Sequence, residues 1–238
     1  MGKFSQFKTK IFADGANFEE MLVLAQTDFI SGLTTNPTLL RKAGVVDYEI
    51  FAKSVLERLT TIPISFEVLS DDLDEMISQG EKIAAWGDNV YVKIPITNTK
   101  RVGTSRVVKS LADQGIRVNV TALMTPHQVE QAAESLNPNI ASYVSVFAGR
   151  IADTGVDPVP LMKQSIEILK SNPKAELIWA SPREVLNIFQ ANEIGCHIIT
   201  VTSEILSKLA LVNRNLDDYS LETIKMLYDD GKESGLSL

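Results

Sequence analysis

The stretch Val90-Tyr91-Val92-Lys93-Ile94 decides how the chain folds. Successive side chains of a strand point to opposite faces, so Val90, Val92 and Ile94 share one side while Tyr91 and Lys93 share the other. A strand covered on both faces of a parallel sheet reads as a nearly continuous apolar run, and the lysine breaks that rule. Three further stretches break it in the same way. Ile64, Phe66 and Val68 oppose Ser65 and Glu67; Val118 and Val120 oppose Asn119 and Thr121; Val144 and Val146 oppose Tyr143, Ser145 and Phe147. In each, the apolar set suits packing against helices, and the opposite set carries polar residues toward the strand's C-terminal end.

Working outward, the sequence offers strands at Lys8–Ala13, Phe29–Leu33, Ile64–Val68, Val90–Ile94, Ile116–Val120, Ala141–Val146, Ala175–Trp179 and Cys196–Val201. Amphipathic stretches separate them, for example Leu73, Met76, Ile77, Ile83 and Ala84, or Val129, Ala132, Ala133 and Leu136, each on one helical face. Polar caps followed three residues later by an acid or amide mark helix starts at Asn17/Glu20, Thr125/Gln128 and Ser181/Glu184, with Pro126 and Pro182 at the first helical position. Eight units in 238 residues average about 30 each, the length a βαβ repeat needs. The expected fold is an α/β (β/α)8 TIM barrel, a single domain over residues 1–238 with a C-terminal helix at about 220–232. Leu221, Ile224, Met226, Leu227 and Tyr228 make that last stretch too apolar for a free tail, so it should pack on the barrel or on a neighbour.

Composition narrows the function. The chain has 23 Lys and Arg against 30 Asp and Glu, a formal charge of −7, with 45% hydrophobic and 22% charged residues. An acidic chain with no basic cluster is a poor collector of phosphate backbones or anionic membrane surfaces, so neither nucleic acid nor membrane is expected as a partner. No run approaches the roughly 18 apolar residues of a membrane span, and the start MGKFSQFKTK carries no apolar leader. One cysteine, Cys196, rules out an internal disulfide framework; with only two histidines it also rules out a Cys/His zinc cage. Cytoplasmic location is the expectation.

In a barrel, the residues facing inward at the strand C-termini meet at the mouth, where such enzymes place their chemistry. Lys93, Glu67, Asn119, Thr121 and Ser145 should gather there, joined by Asp14 and the turn Thr34-Thr35-Asn36-Pro37 that end the first two strands. An unpaired charge in such a place costs several kcal/mol, roughly, unless partners or function compensate. Each residue also has a plain structural reading. Lys93 fits a surface charge that snorkels, Asp14 a helper in capping the helix near Asn17, Ser181 a helix cap, and Thr34–Pro37 a simple turn. Glu67, Asn119, Thr121 and Ser145 fit polar residues facing solvent at frayed ends. Those readings would have to coincide in several separate elements to explain the shared parity. No G-x-S-x-G elbow, Walker A loop or G-x-G-x-x-G is present, and Cys196 sits among Ile and Val as a core residue would.

These residues resemble a known family. Phe12-Ala13-Asp14-Gly15-Ala16-Asn17, Gly32-Leu33-Thr34-Thr35-Asn36-Pro37-Thr38, Val92-Lys93-Ile94-Pro95-Ile96-Thr97, Asn119-Val120-Thr121, Ser145-Val146-Phe147-Ala148-Gly149-Arg150-Ile151 and Trp179-Ala180-Ser181 are similar in order and spacing to the transaldolases. These are class I Schiff-base enzymes that share a fold with a smaller fructose-6-phosphate aldolase branch. The chain departs from the family pattern at Val146, where Pro is usual, at Pro182, where an aromatic is usual, and at Ala152, where an acid is usual; Asp153 is kept.

The resemblance implies that Lys93 forms a Schiff base with a ketose phosphate, with Asp14 as the base at the C4 hydroxyl. Glu67 relays protons through a water that Thr121 helps to position. Thr35, Asn36, Asn119 and Ser145 bind the retained three-carbon unit, and Arg150, Ser181 and Arg183 bind the phosphate. An amine has to be neutral to attack a ketone, and desolvation is one way in which proteins arrange this. The resemblance further implies sugar phosphates as partners, no cofactor, no metal ligand and a homo-oligomer. The aldolase branch has Gln and Tyr where this chain has Glu67 and Phe147, which leans the reading to the transferase. The alternatives are the aldolase, a sugar-phosphate isomerase with Glu67 as base and Lys93 as electrophile, and a non-catalytic sugar-phosphate binder.

Overall fold

The computed structural model describes residues 7–236. Its strands are β1 (Lys10–Asp14), β2 (Ile30–Thr34), β3 (Ile64–Glu67), β4 (Val90–Pro95), β5 (Val118–Leu123), β6 (Ser142–Val146), β7 (Ala175–Trp179) and β8 (Ile198–Thr202). All pair in parallel and in chain order, and β8 closes on β1, giving the eight-stranded (β/α)8 barrel that the alternation predicts. The helices are α1 (Phe18–Ala25), α2 (Pro37–Lys42), α3 (Tyr48–Arg58), α4 (Leu73–Ala84), α5 (Ser105–Asp113), α6 (Pro126–Ser135), α7 (Ala148–Ala152), α8 (Pro158–Leu169), α9 (Leu186–Glu193), α10 (Ser203–Ser207) and α11 (Leu216–Glu233). The short helices α2, α7 and α10 directly follow β2, β6 and β8 and so stand around the mouth.

Local signals explain most helix starts. Asn17 accepts from the Glu20 amide, and Thr125 and Gln128 satisfy each other's backbone N–H in a capping box with Pro126 in the first turn. Ser181 does not cap a helix. α9 begins only at Leu186, and Ser181 has φ 57°, in the left-handed region. Two contacts account for this. Pro182 disfavours a helical conformation in the residue before it. The Ser181 carbonyl also lies against Gly149, where a Cβ would stand 1.5 Å from its oxygen. The entry to α9 is secured from inside the helix, where Asn187 Oδ1 accepts from the Arg183 and Glu184 amides.

Several strands run later than their composition suggests. β1, β2, β5 and β8 end at Asp14, Thr34, Leu123 and Thr202, because polar end residues still have ladder partners: Asp14 pairs with both Thr34 and Thr202. Two irregularities aim side chains. Ile11 pairs with Ile30 but Phe12 with Gly32, so Ser31 is an extra residue that brings Gly32 and Thr34 to the same face as Phe12 and Asp14. A second break lies in β5, where Ala122 takes φ 64° next to Thr121.

The core has two layers. Between strands and helices lies the larger, which includes Ile64, Phe66, Val92, Ile94, Val118 and Val144. Inside the barrel Phe12, Tyr91, Tyr143, Ile178 and Ile198 form the floor. Tyr91 and Tyr143 stack at 4.0 Å and Phe12 meets Tyr143 edge-on at 5.6 Å. Each such aromatic pair contributes about 0.5–1.5 kcal/mol beyond its buried area. Gly32 makes room for Phe12, whose ring a Cβ there would meet at 2.6 Å. The barrel is thus packed with aromatic and aliphatic side chains below its mouth.

α11 buries none of its residues, and Leu216, Leu221, Ile224, Leu227 and Tyr228 stand exposed on it. It therefore does not pack on its own barrel. Among the described residues no helix is long and apolar enough to cross a membrane.

Candidate active site

Parity delivers the inward set to one place. Lys93 on β4 is 6% exposed, which excludes a snorkelling surface position. Its ammonium nitrogen lies 3.5 Å from Glu67 Oε2 on the neighbouring β3 and donates to the Thr35 carbonyl at 3.0 Å. Glu67 and Lys93 are register partners, so the ladder itself sets their approach. Asp14 enters from β1, held by the Thr34 hydroxyl, which donates to Oδ1 at 2.7 Å. Asp14 does not cap α1, since Asn17 does that.

Burial acts more strongly on both carboxyls than the ammonium does. Desolvation pushes Asp14 above its ordinary range, against the opposing pull of Lys93 and the Thr34 hydrogen bond. Glu67 is raised for the same reason, with Lys93 opposing and the Asp14 charge adding to the rise. A lysine and two carboxyls whose burial raises their pKa values, together in a low-dielectric barrel mouth, form a set suited to proton transfer.

A second polar chain crosses β3, β5 and β6. Ser145 donates to Asn119 Oδ1 at 2.7 Å, and Asn119 Nδ2 donates to Ser65 Oγ at 3.0 Å, all buried. Thr121 is 1% exposed and its hydroxyl has no hydrogen-bond partner among the described residues. Leaving a buried hydroxyl unpaired costs about 1–3 kcal/mol, so Thr121 marks a place for a water or a substrate oxygen.

Asp14, Thr34, Asn36, Lys93, Thr121 and Ser145 line one cavity together with Phe147, Ala180, Ser181 and Thr200. Asn36 has two duties: its Oδ1 caps α2 by accepting from the Leu39 amide, with Pro37 following, so the turn reading and the site reading both hold. Thr35 is different. It is fully buried with its hydroxyl donating to the Ser65 carbonyl, and only its own carbonyl oxygen reaches toward the site. Asn119 sits one layer beneath, supporting Ser145.

The two arginines sit outside this cavity. Arg150 is exposed, with its guanidinium 5.7 Å from the centre of the Phe147 ring, and among the described residues it makes no ion pair. Arg183 is held by Asp153 through Nε at 2.8 Å and through Nη2, and this carboxylate raises the Arg183 pKa further. Among the described residues no group of three or more His, Cys, Asp and Glu could hold a metal ion. Cys196 is a core residue, 1% exposed, with burial pushing its thiol up to about 12.

Two contributors are not among the residues singled out from the sequence. Thr200 was legible only through the alternation of Ile198, Thr200 and Thr202 in β8. Tyr48, at the start of α3, has no sequence signal at all. Its phenol oxygen accepts from the Glu67 amide at 2.8 Å and donates to the Glu67 carbonyl at 3.1 Å. The β2–β3 pairing stops at Thr34 and Ser65, so Tyr48 takes the place of the missing strand partner just where Glu67 must be held.

Comparison with known proteins identifies the family. The family model described as Transaldolase/Fructose-6-phosphate aldolase matches residues 11–236. A protein named probable transaldolase from Nitrosopumilus maritimus (strain SCM1) is 35% identical over 205 residues, covering 84% of this chain and 86% of that one. Another, from Thermoanaerobacter sp. (strain X514), is 33% identical over 230 residues, covering 96% and 100%. Among solved structures, one of a dihydrodipicolinate synthase family protein from Coccidioides immitis superposes with a TM-score of 0.57 at 14% identity, over 95% of this chain and 74% of that one. That likeness concerns the barrel alone.

Proposed function

The chain belongs to the transaldolase/fructose-6-phosphate aldolase family, and from that premise we propose that it is a transaldolase. It would move a dihydroxyacetone unit from a ketose phosphate, such as fructose 6-phosphate or sedoheptulose 7-phosphate, to an aldose phosphate. The observation that carries this reading is the Lys93 amine buried at the barrel mouth with the Glu67 carboxyl on the neighbouring strand β3 and the Asp14 carboxyl reaching the same mouth from β1.

Lys93 Nζ, in its neutral form, attacks the C2 carbonyl, and loss of water from the carbinolamine leaves a protonated imine. Glu67, working through a water held at the unpaired Thr121 hydroxyl, supplies and removes the protons of that step. Asp14 then takes the C4 hydroxyl proton as the C3–C4 bond breaks. The bonding electrons pass into the imine to give an enamine, and an aldose phosphate leaves. Attack of the enamine on a second aldose phosphate, with the proton returned by Asp14, runs the sequence backward to a new ketose. Asn36 and Ser145, the latter backed by Asn119, hold hydroxyls of the retained unit. Arg150 is assigned the phosphate, with Ser181 beside it; Arg183 joins only by leaving Asp153.

Phe147 supports transfer over simple cleavage. An aldolase must protonate the enamine, and the Phe147 ring in the cavity wall has no proton to give. Borohydride trapping with fructose 6-phosphate tests the covalent step: the expected result is a sugar-derived mass on the peptide that holds Lys93. No adduct there overturns it and returns the isomerase reading. Addition of erythrose 4-phosphate then separates sedoheptulose 7-phosphate, the transfer product, from free dihydroxyacetone, the aldolase product.

On this reading the protein serves carbohydrate metabolism in the pentose phosphate pathway, and its proposed location is the cytoplasm, which cell fractionation tests. A homo-oligomer is proposed as well, with the exposed apolar residues of α11 covered by a second copy of the chain.

A further inference from the structure

Thr200 belongs to no role described above, yet it lines the cavity on the side of Asp14 and is 5% exposed. Its hydroxyl oxygen lies 2.5 Å from that of Thr34, and Thr34 in turn lies 2.7 Å from Asp14 Oδ1. The strand register creates this row. Thr200 pairs with Phe12 on β1, two residues before Asp14 and on the same face, while the extra residue Ser31 in β2 turns Thr34 toward Asp14 from the other side.

Counting protons fixes the direction. Each threonine hydroxyl has one proton to donate, and an ionised carboxylate only accepts. With Asp14 ionised, the Thr34 proton goes to Oδ1, and the contact between the two hydroxyls can then be made only by the proton of Thr200. Among the described residues Thr200 makes no other side-chain hydrogen bond, so its proton is available for this. Without it, the Thr34 oxygen loses the donor that polarises its own O–H, and the Thr34 bond to Asp14 Oδ1 is weakened.

We propose that Thr200 is a positioning residue for Asp14: its hydroxyl donates to Thr34, locks Thr34 as a donor to Oδ1, and leaves Oδ2 to meet the substrate proton. This rests on the reading of Asp14 as the base of the transfer reaction. The other titratable groups facing Asp14 are Lys93 on β4 and Glu67 on β3, and both remain in place when Thr200 is changed.

Thr200→Val keeps the β-branched shape and removes only the hydroxyl, whereas Thr200→Ser keeps the hydroxyl. The expected result for Thr200→Val is kcat about five- to tenfold lower, the effect of one ordinary hydrogen bond. KM for fructose 6-phosphate should stay within about twofold, as expected when ground-state binding is untouched. Borohydride trapping on Lys93 should proceed as in the parent, and the acidic limb of the kcat/KM profile should move to higher pH. Thr200→Ser should restore both kcat and the limb.

A readout independent of turnover is the carboxyl carbon resonance of Asp14 followed by NMR through its titration. It should move to higher pH in Thr200→Val and return in Thr200→Ser. An Asp14 titration unchanged in Thr200→Val overturns the proposal, as does a Thr200→Ser variant that behaves like Val, since a packing role alone would explain that. Failure of the parent protein to trap sugar on Lys93 counts against the transaldolase reading instead, and the NMR titration still decides the hydroxyl row.

Discussion

Tyr48→Phe puts a number on the arrangement that holds Glu67. The substitution leaves the ring packed edge-on against Phe66 and Trp86, at 6.1 and 5.4 Å between centres, and removes the oxygen that serves the Glu67 amide and carbonyl. Burial, with the Glu67 charge adding to it, keeps Tyr48 a phenol, so both bonds are present throughout the working pH range. A lost hydrogen bond costs about 1 kcal/mol where water can replace it and up to about 3 where it cannot. Glu67 is partly buried, so the pair together should cost about 2–3 kcal/mol. A domain of this size shifts by about 2–4 °C per kcal/mol, and Tm should therefore fall by about 4–12 °C. The same change lets the end of β3 drift. If Glu67 handles the protons of imine formation, the rate of borohydride-trapped adduct formation should drop by about tenfold, the order of loss that a small misplacement brings. Differential scanning fluorimetry and timed trapping measure the two effects. A Tm within about 1 °C of the parent together with an unchanged trapping rate would refute the assignment of Tyr48 as the support of Glu67.

Three further outcomes follow from the geometry. Asp14 has a folded-state pKa above its unfolded value, so the stability its carboxyl contributes is full below about 3.8 and is lost as pH rises through the folded value. Asp14→Asn should then be more stable than the parent at pH 7 while turnover disappears, and trapping should yield an intact six-carbon phosphate on Lys93; a less stable variant contradicts the desolvation account. His197 shows the opposite sign. Burial lowers its pKa, with Glu176 opposing and Lys10 assisting, and its Nδ1 accepts from the Leu177 amide across the β7–β8 seam. The seam should be fully stabilised above about pH 6.5 and weaken as pH falls through the lowered value, so the stability gap between the parent and His197→Gln should shrink toward pH 5; a gap independent of pH disproves it. Finally, Leu227→Asp on exposed α11 should reduce the molar mass seen by light scattering without loss of secondary structure, and an unchanged mass would remove α11 from the subunit contact.

Much of the fold was legible because parity is a local property. Val90-Tyr91-Val92-Lys93-Ile94 announces both its buried faces and its exception, and the observed ladder puts Lys93 opposite Glu67 as that alternation requires. Strand ends were harder to see. Asp14 and Thr34 read as cap or turn residues until their neighbours in the barrel supply ladder partners. Ser181 shows the limit of capping rules: the motif Ser-Pro-Arg-Glu is an adequate helix start, but the contact of its carbonyl with Gly149 holds it in a left-handed turn. Thr35 carries the same residue type as Thr34 and faces the other way, a consequence of strand parity that the turn motif hides. Tyr48, Thr200 and the Arg183–Asp153 pair depend on contacts between distant elements, and nothing near them in the chain encodes those contacts.

Everything proposed for the mouth depends on Lys93 as the nucleophile. Incubation with fructose 6-phosphate and borohydride, followed by peptide mass analysis, tests this most directly. A three-carbon or six-carbon sugar adduct confined to the peptide containing Lys93, and absent from Lys93→Met, is the predicted result. A protein that turns over sugar phosphates while that peptide keeps its unmodified mass would contradict it.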